Sequence, residues 1–262
     1  MSAAPARPEA GLIRGFIRWN RGLSERIARR FPSFVAYPSY RDELQQRIRS
    51  SLRRPVSAVL EVGGIDRPLL ARGAGYHYDG LDIDEQLACH EIYDRFFVQS
   101  VEKPILGRYD LIVSMTLLEH VPDTAAAARA MFDALAPGGE MHHYIPGSNH
   151  PYAWATRIVG PRLQKRLVPV LRPQLAANIS GYPTFFNACT PAAMSKRFQA
   201  AGFEAIDVRA YYRANDYFAW FVPLYVLVTA LENLARRRDW RQLSSGFIIS
   251  ARRPVPSLAA DG

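Results

Sequence analysis

The sequence predicts an α/β protein whose core is a mainly parallel sheet. Three observations carry this expectation. The short apolar runs "SAVLEVGG" (57–64), "YHYDGLDID" (76–84), "RFFVQS" (95–100) and "YDLIVSM" (109–115) follow one another across short helical or loop segments, the rhythm of βαβ units. The first run closes on glycines and the second on acids. At 262 residues the chain suits one substantial domain with additions and is too short for two generous ones.

The elements can be justified in order. Residues 1–10 are rich in Ala and Pro and are expected to stay outside the core. From Leu12 to Phe31, Ile13, Phe16, Ile17, Leu23 and Ile27 recur among arginines, which predicts one or two basic amphipathic helices. A further helix fits "SYRDELQQRIRSSL", with Ser39 as its cap and Glu43 near its first turn. After the four strands, Asp123 or Thr124 is a natural cap for an Ala-rich helix, which Pro137, Gly138 and Gly139 are expected to stop. "EMHHYIP" (140–146) reads as a fifth strand. "TPAAMSKRFQAAG" reads as a helix with Thr190 at the cap, Pro191 at the first position and Gly202 as the stop. "FEAIDVRAYY" and "SSGFIISARR" supply two last strands. The expected organisation is a tail with basic helices at 1–54, a sheet domain at 55–255 with a lid-like insertion at 147–190 and an apolar helical segment at 217–238, and a tail at 256–262.

Charge and apolar runs restrict the setting. The formal charge is +9, carried almost wholly by arginine, since the lysines are Lys103, Lys165 and Lys196. That balance suits phosphate, nucleic acid or an anionic membrane, and a genome's base composition also explains it. Cys89 and Cys189 make no disulfide framework and no metal spacing, so no metal and a reducing cytoplasm are expected. The start of the chain lacks the continuous apolar region of a secretory signal. "YFAWFVPLYVLVTAL" (217–231) contains Pro223 and falls short of the roughly 20 residues of a spanning helix. It reads either as a buried helix over the sheet or as an in-plane membrane contact with Arg236, Arg237 and Arg238 at the headgroups.

Taken together, "VLEVGG", the acidic end "LDID", "YDLIVSMTLLEHVPD", "LAPGG", "MHHYIP" and "QAAGFEAIDV" resemble a class I S-adenosylmethionine-dependent methyltransferase of the type 11 methyltransferase domain family. The resemblance implies a Rossmann-like, mainly parallel seven-stranded sheet with helices on both faces, an N-terminal helical extension, an insertion after strand five, and S-adenosylmethionine as cofactor. Gly63 and Gly64 would then form the turn that lets the ligand approach. Asp82, nineteen residues after Gly63, would accept hydrogen bonds from both ribose hydroxyls, with Asp84 as its rival on the same strand. Glu61 would organise the cofactor's amino-acid end, or else be a solvated or capping carboxylate. Ser114 and Met115 would reach the pocket rim.

Two departures from the family pattern stand out. In the E/D-x-G-x-G-x-G turn the last two glycine places hold Ile65 and Arg67, which limits close approach of a ligand. Ser100 stands where an aspartate would receive the adenine amino group, leaving an acceptor without charge assistance.

Methyl transfer needs alignment, and a general base only where the nucleophile must lose a proton. Candidates are His120, His142 and His143; the last two alternate on a strand, so only one of them can face a pocket. In the insertion, Tyr152, Trp154, Tyr182, Phe185 and Phe186 mix with Arg157, Arg162, Arg166 and Arg172. They suit a lid over an amphiphilic or anionic acceptor, with Tyr152 and Tyr182 as its contacts, and equally suit packing of the insertion on the sheet.

The expected function is methyl transfer to a small-molecule or lipid-linked acceptor, with oxygen favoured, in the cytoplasm and with a peripheral contact at the inner membrane face. Nucleic acid is disfavoured because "SMTL" occupies the place where base-methylating relatives carry an "NPPY"-like tetrapeptide. A nicotinamide dehydrogenase is disfavoured because G-x-G-x-x-G is absent after strand one. The alternative is a fold that has lost catalysis and serves as a binding or scaffold module, to which Ile65, Arg67 and Ser100 point.

Overall fold

The computed structural model describes residues 8–65, 67–171 and 182–256. The outer parts of both expected tails, and Arg172 of the expected lid, lie outside the described residues. In chain order the elements are α1 (Pro8–Arg30), α2 (Pro32–Val35), α3 (Tyr40–Ser51), β1 (Ala58–Val62), β2 (His77–Asp82), α4 (Cys89–Ile92), β3 (Arg95–Val98) and β4 (Tyr109–Met115). They continue with α5 (Thr124–Ala134), β5 (Leu135–Pro146), α6 (Pro151–Leu171), α7 (Pro191–Ala200), β6 (Glu204–Tyr211), α8 (Val222–Arg237) and β7 (Gly246–Arg252).

The chain forms two compact units that alternate along the sequence. A sheet unit takes Pro38–Ser148, Thr184–Tyr211 and Gly246–Gly262. A helical unit takes Met1–Tyr37, Asn149–Pro183 and Tyr212–Ser245. The first basic helix, most of the expected lid and the apolar segment near 217–238 thus belong together, whereas α3 belongs with the sheet.

Among the described residues the sheet has seven strands in the order β3-β2-β1-β4-β5-β7-β6. Pairing is parallel from β3 through β5, and β7 runs antiparallel to both β5 and β6. Leu60, Leu111, Ile112 and Val113 are fully buried, as expected where helices cover both faces of central parallel strands. On one face lies α3, whose Leu44 and Ile48 are fully buried and whose Tyr40 stacks on Tyr144 at 3.7 Å. Each fully buried side chain of this size contributes roughly 1.5–3 kcal/mol. On the other face Phe198 of α7 stacks on His143 at 6.0 Å.

Helix starts follow their caps. Ser39 accepts from the Asp42 amide, Asp123 rather than Thr124 accepts from the Ala125 and Ala126 amides, and Thr190 accepts from Ala193 ahead of Pro191. Gly202, at φ +103, follows the end of α7 as expected. Pro137, Gly138 and Gly139 do not stop α5, which corrects the sequence reading. The chain leaves the helix at Leu135, and these residues open β5, with Gly138 at φ +78 beside a register shift between Tyr109 and Leu111.

Within the helical unit the amide of Val222 donates to Asn20 Oδ1 at 3.0 Å, and Ser24 Oγ donates to the Ala219 carbonyl at 3.2 Å. Buried Glu232 accepts from Arg213 at 3.0 Å and from the Ala214 amide at 2.7 Å, and lies 3.2 Å from His150 Nε2. Arg213 also donates to the Phe34 and Val35 carbonyls, tying the end of α2 to α8. No helix among the described residues is long and apolar enough to cross a membrane.

Candidate active site

Strand order reverses between β1 and β4, and in an open α/β sheet the crevice beyond that reversal is where ligands collect. Gly63 follows β1 with φ +81, a conformation that favours glycine. Its N–H donates to the Leu81 carbonyl at 2.7 Å, which sets the end of β1 beside Asp82 at the end of β2. A Cβ on Gly63 would stand 2.8 Å from Leu117 Cβ, so the loop after β4 approaches the turn closely. Gly64 answers a different need: a Cβ there would meet the Tyr93 hydroxyl at 2.3 Å and the Glu61 carboxyl carbon at 2.6 Å.

Glu61 is neither solvated nor open. It is buried and accepts from the Tyr78 hydroxyl and, at 3.0 Å, from the Leu69 amide. Burial pushes its pKa up to about 7 against the pull of those hydrogen bonds. The carboxyl therefore ties the end of β1 to the Leu69 amide and to Tyr78 of β2.

Asp82 is buried, while Asp84 is exposed on the turn that follows. The Asp84 amide donates to Asp82 Oδ1 at 3.1 Å. Burial raises the Asp82 pKa, and the nearby His120 works against that rise. Of the two rivals, Asp82 is the one set beside Gly63.

Ser100 lies just beyond β3. Its hydroxyl donates to Glu102 Oε2 at 2.9 Å and accepts from the Glu102 amide at 3.2 Å, and Glu102 Oε1 accepts from the Asp123 amide at 2.6 Å. The carboxylate missing at position 100 is thus matched by one two residues later. Met115 is half-buried at the end of β4. Ser114 is not at a rim, which corrects the expectation: it is fully buried, its Oγ 2.7 Å from His143 Nδ1.

His142 and His143 alternate as predicted: His142 lines a groove along α3 and β5, and His143 lies in the core. His142 lies between Ser51 Oγ and Ser250 Oγ, each at 2.8 Å, and burial lowers its pKa to about 4. His143 is fully buried, and burial lowers its pKa to about 3. The groove that His142 lines lies beside α3, away from the switch point, and His143 is fully enclosed. His120 remains, half-buried on the loop after β4 and with Nε2 3.7 Å from Glu119 Oε1.

Glu119 is a residue that the sequence reading passed over. It is buried, its Oε2 has no hydrogen-bond partner among the described residues, and burial raises its pKa to about 8. Its carbonyl accepts from the Phe185 and Phe186 amides at 2.8 and 3.0 Å. An acid inside the otherwise apolar "LLEHV" was the available signal.

Tyr152 belongs to the helical unit, where it is buried, stacks on Tyr217 at 4.9 Å and donates to the Ser245 carbonyl at 3.1 Å. Tyr182, in the same unit, is half-buried. A groove of about 480 Å³ runs along α3 and β5, away from the switch point, and its Arg47, Arg54 and Arg252 are ion-paired with Glu43, Asp207 and Glu140. No group of three or more His, Cys, Asp or Glu side chains suited to a metal occurs among the described residues.

A model of the methyltransferase domain family matches residues 31–208. The ubiquinone biosynthesis O-methyltransferase of Psychrobacter arcticus is 30% identical over 137 residues, 52% of this chain and 48% of that protein. Its counterpart in Aeromonas salmonicida is 27% identical over 158 residues, 56% of this chain and 61% of that protein. The chain thus spans about half the length of these curated relatives. Among solved structures, the [4+2]-cyclase SpnF superposes with a TM-score of 0.50 at 17% identity, covering 82% of this chain and 81% of that one, a likeness of fold.

Proposed function

Because the chain belongs to the methyltransferase domain family, we propose that it transfers the methyl group of S-adenosylmethionine to an oxygen of a small-molecule or lipid-linked acceptor. The observation that carries this reading is the juxtaposition of Gly63 and Asp82 at the switch point. A buried carboxylate at a strand end suits a vicinal diol, because two hydroxyl donors would offset the burial that raises its pKa. The residues present therefore fit the nucleoside part of the cofactor: Asp82 would hold the ribose, Ser100 with Glu102 the adenine amino group, and Met115 the apolar edge of the ring.

When bound, S-adenosylmethionine supplies an electrophilic methyl. This chain's own work is to align the acceptor, exclude water and take a proton. His120 is the base we assign to that proton, since His142 and His143 are held by serine hydroxyls away from the switch point. An oxygen acceptor is supported by the O-methyltransferase relatives from P. arcticus and A. salmonicida. The two buried free cysteines suit a reducing, cytoplasmic setting.

Calorimetric titration with S-adenosylmethionine and S-adenosylhomocysteine tests the reading. Saturable heat that disappears in Asp82→Ala supports it. Absence of heat and of thermal stabilisation at millimolar concentration of either compound counts against it.

A further inference from the structure

Two helices of the helical unit each carry a second apolar stripe beside the face they pack. On α1 the packed face is Ile17, Asn20 and Ser24. Leu12, Phe16 and Trp19, at steps of four and three, form a separate stripe in which Leu12 is 77% and Trp19 60% exposed. On α8 the packed face is Tyr225, Val228, Glu232 and Ala235, while Leu227, Leu231 and Leu234, again at steps of four and three, are exposed. Phe16 stacks on Phe221, just before α8, at 6.5 Å, which brings the α1 stripe to the start of α8. Scattered exposed leucines need no explanation, but two periodic stripes on helices of one unit do.

Charge indicates what covers them. The segments of the helical unit contain 17 Lys and Arg against 5 Asp and Glu, and those of the sheet unit 16 against 19. The basic excess of the chain therefore lies wholly in the helical unit. Arg30 continues the line of the α1 stripe and Arg26 borders it, both exposed, while the α8 stripe runs out to exposed Arg238 beside Arg236 and Arg237. A second copy of this unit would bring like charge against like. Nucleic acid would leave the leucines and Trp19 in water. An anionic bilayer satisfies both features, with apolar side chains at the acyl boundary and guanidinium groups among the headgroups.

We propose that the helical unit docks on an anionic lipid surface through Leu12, Phe16 and Trp19 of α1 and Leu227, Leu231 and Leu234 of α8, with their arginines at the headgroups. The inference rests on this unit alone and not on methyl transfer.

The test mixes the full chain with vesicles of phosphatidylcholine, or of phosphatidylcholine with phosphatidylglycerol, and measures the bound fraction by sedimentation. The expected result is partition into anionic vesicles about tenfold or more above neutral ones, weakened at roughly 0.5 M salt. The double variant Trp19→Asp, Leu231→Asp should lose that partition by about tenfold or more while keeping its circular dichroism and melting temperature. The triple variant Arg236→Gln, Arg237→Gln, Arg238→Gln, which leaves the apolar stripes intact, should lose most of the preference for anionic lipid. No binding of the native chain to anionic vesicles overturns the proposal, as does equal binding by the double variant. A dimer that the double variant dissociates, without vesicle binding, also overturns it and assigns the stripes to a second copy. Titration with S-adenosylhomocysteine reports separately on the methyl-transfer site.

Discussion

The amide of Gly63 donates to the carbonyl of Leu81 at 2.7 Å, a hydrogen bond that sets the end of β1 beside Asp82 at the end of β2. Gly63 is the first residue past β1, whereas Leu81 is still paired with Val62, so the bond carries the ladder one residue beyond the end of β1 toward the crevice. Replacing Asp82 by Ala should lower affinity for S-adenosylhomocysteine at least tenfold, a difference of about 1.4 kcal/mol, with little change in urea unfolding. Asp82→Asn, which keeps an acceptor without its charge, should fall between. Calorimetry on the three proteins measures the order.

Gly63→Ala should act on both stability and binding. The φ of +81 is strained for alanine, and the added Cβ would crowd Leu117. A loss of about 1–3 kcal/mol in denaturant unfolding is expected, together with weaker cofactor binding. Gly64→Ala should destabilise by a similar amount through its clash with Tyr93 and Glu61.

Stability should fall on both sides of mildly acidic pH, from groups of opposite sign. Glu119 and Glu61 have folded-state pKa values raised to about 8 and about 7, so their contribution is complete below about pH 4.5 and is lost as pH rises through those values. His142 and His143 have folded-state values lowered to about 4 and about 3, so their contribution is complete above about pH 6.5 and is lost as pH falls toward 4. Denaturant unfolding from pH 5 to 8.5 should show a decline that Glu119→Gln reduces, by on the order of 3 kcal/mol at most.

Glu232→Ala should loosen the helical unit. It removes an acceptor of Arg213 and the acceptor of the Ala214 amide and leaves a half-buried guanidinium with less compensation, a change expected to cost about 1–3 kcal/mol. Hydrogen exchange should rise first in α8 and around residues 34–36, whose carbonyls Arg213 holds.

What was legible in the sequence was local. Ser39, Asp123 and Thr190 announce their helices because a cap acts on amides two or three residues away. The strands of the parallel core show as apolar runs because both of their faces are buried. The fate of Glu61 was not legible, since it depends on Tyr78 from a neighbouring strand and on the Leu69 amide. The helical unit was equally hidden, because Asn20, His150, Arg213 and Glu232 come from three remote segments and meet only in the fold. Ile65 and Arg67 are visible in the sequence as departures from a motif, whereas the hydrogen bonds that set the Glu102 carboxylate between Ser100 Oγ and the Asp123 amide are not.

The serines that hold the paired histidines of β5 are their ladder partners: His142 stands opposite Ser250 on β7, and His143 opposite Ser114 on β4. Slipping β5 by one residue against either neighbour would set an imidazole against an aliphatic side chain and turn every side chain of the strand to the opposite face. Each misaligned pairing would strand buried ring nitrogens and hydroxyls without partners, at roughly 1–3 kcal/mol apiece. The two His–Ser pairs thus act as a proofreading device for β5, penalising the near-miss registers that a run of interchangeable valines and isoleucines would tolerate.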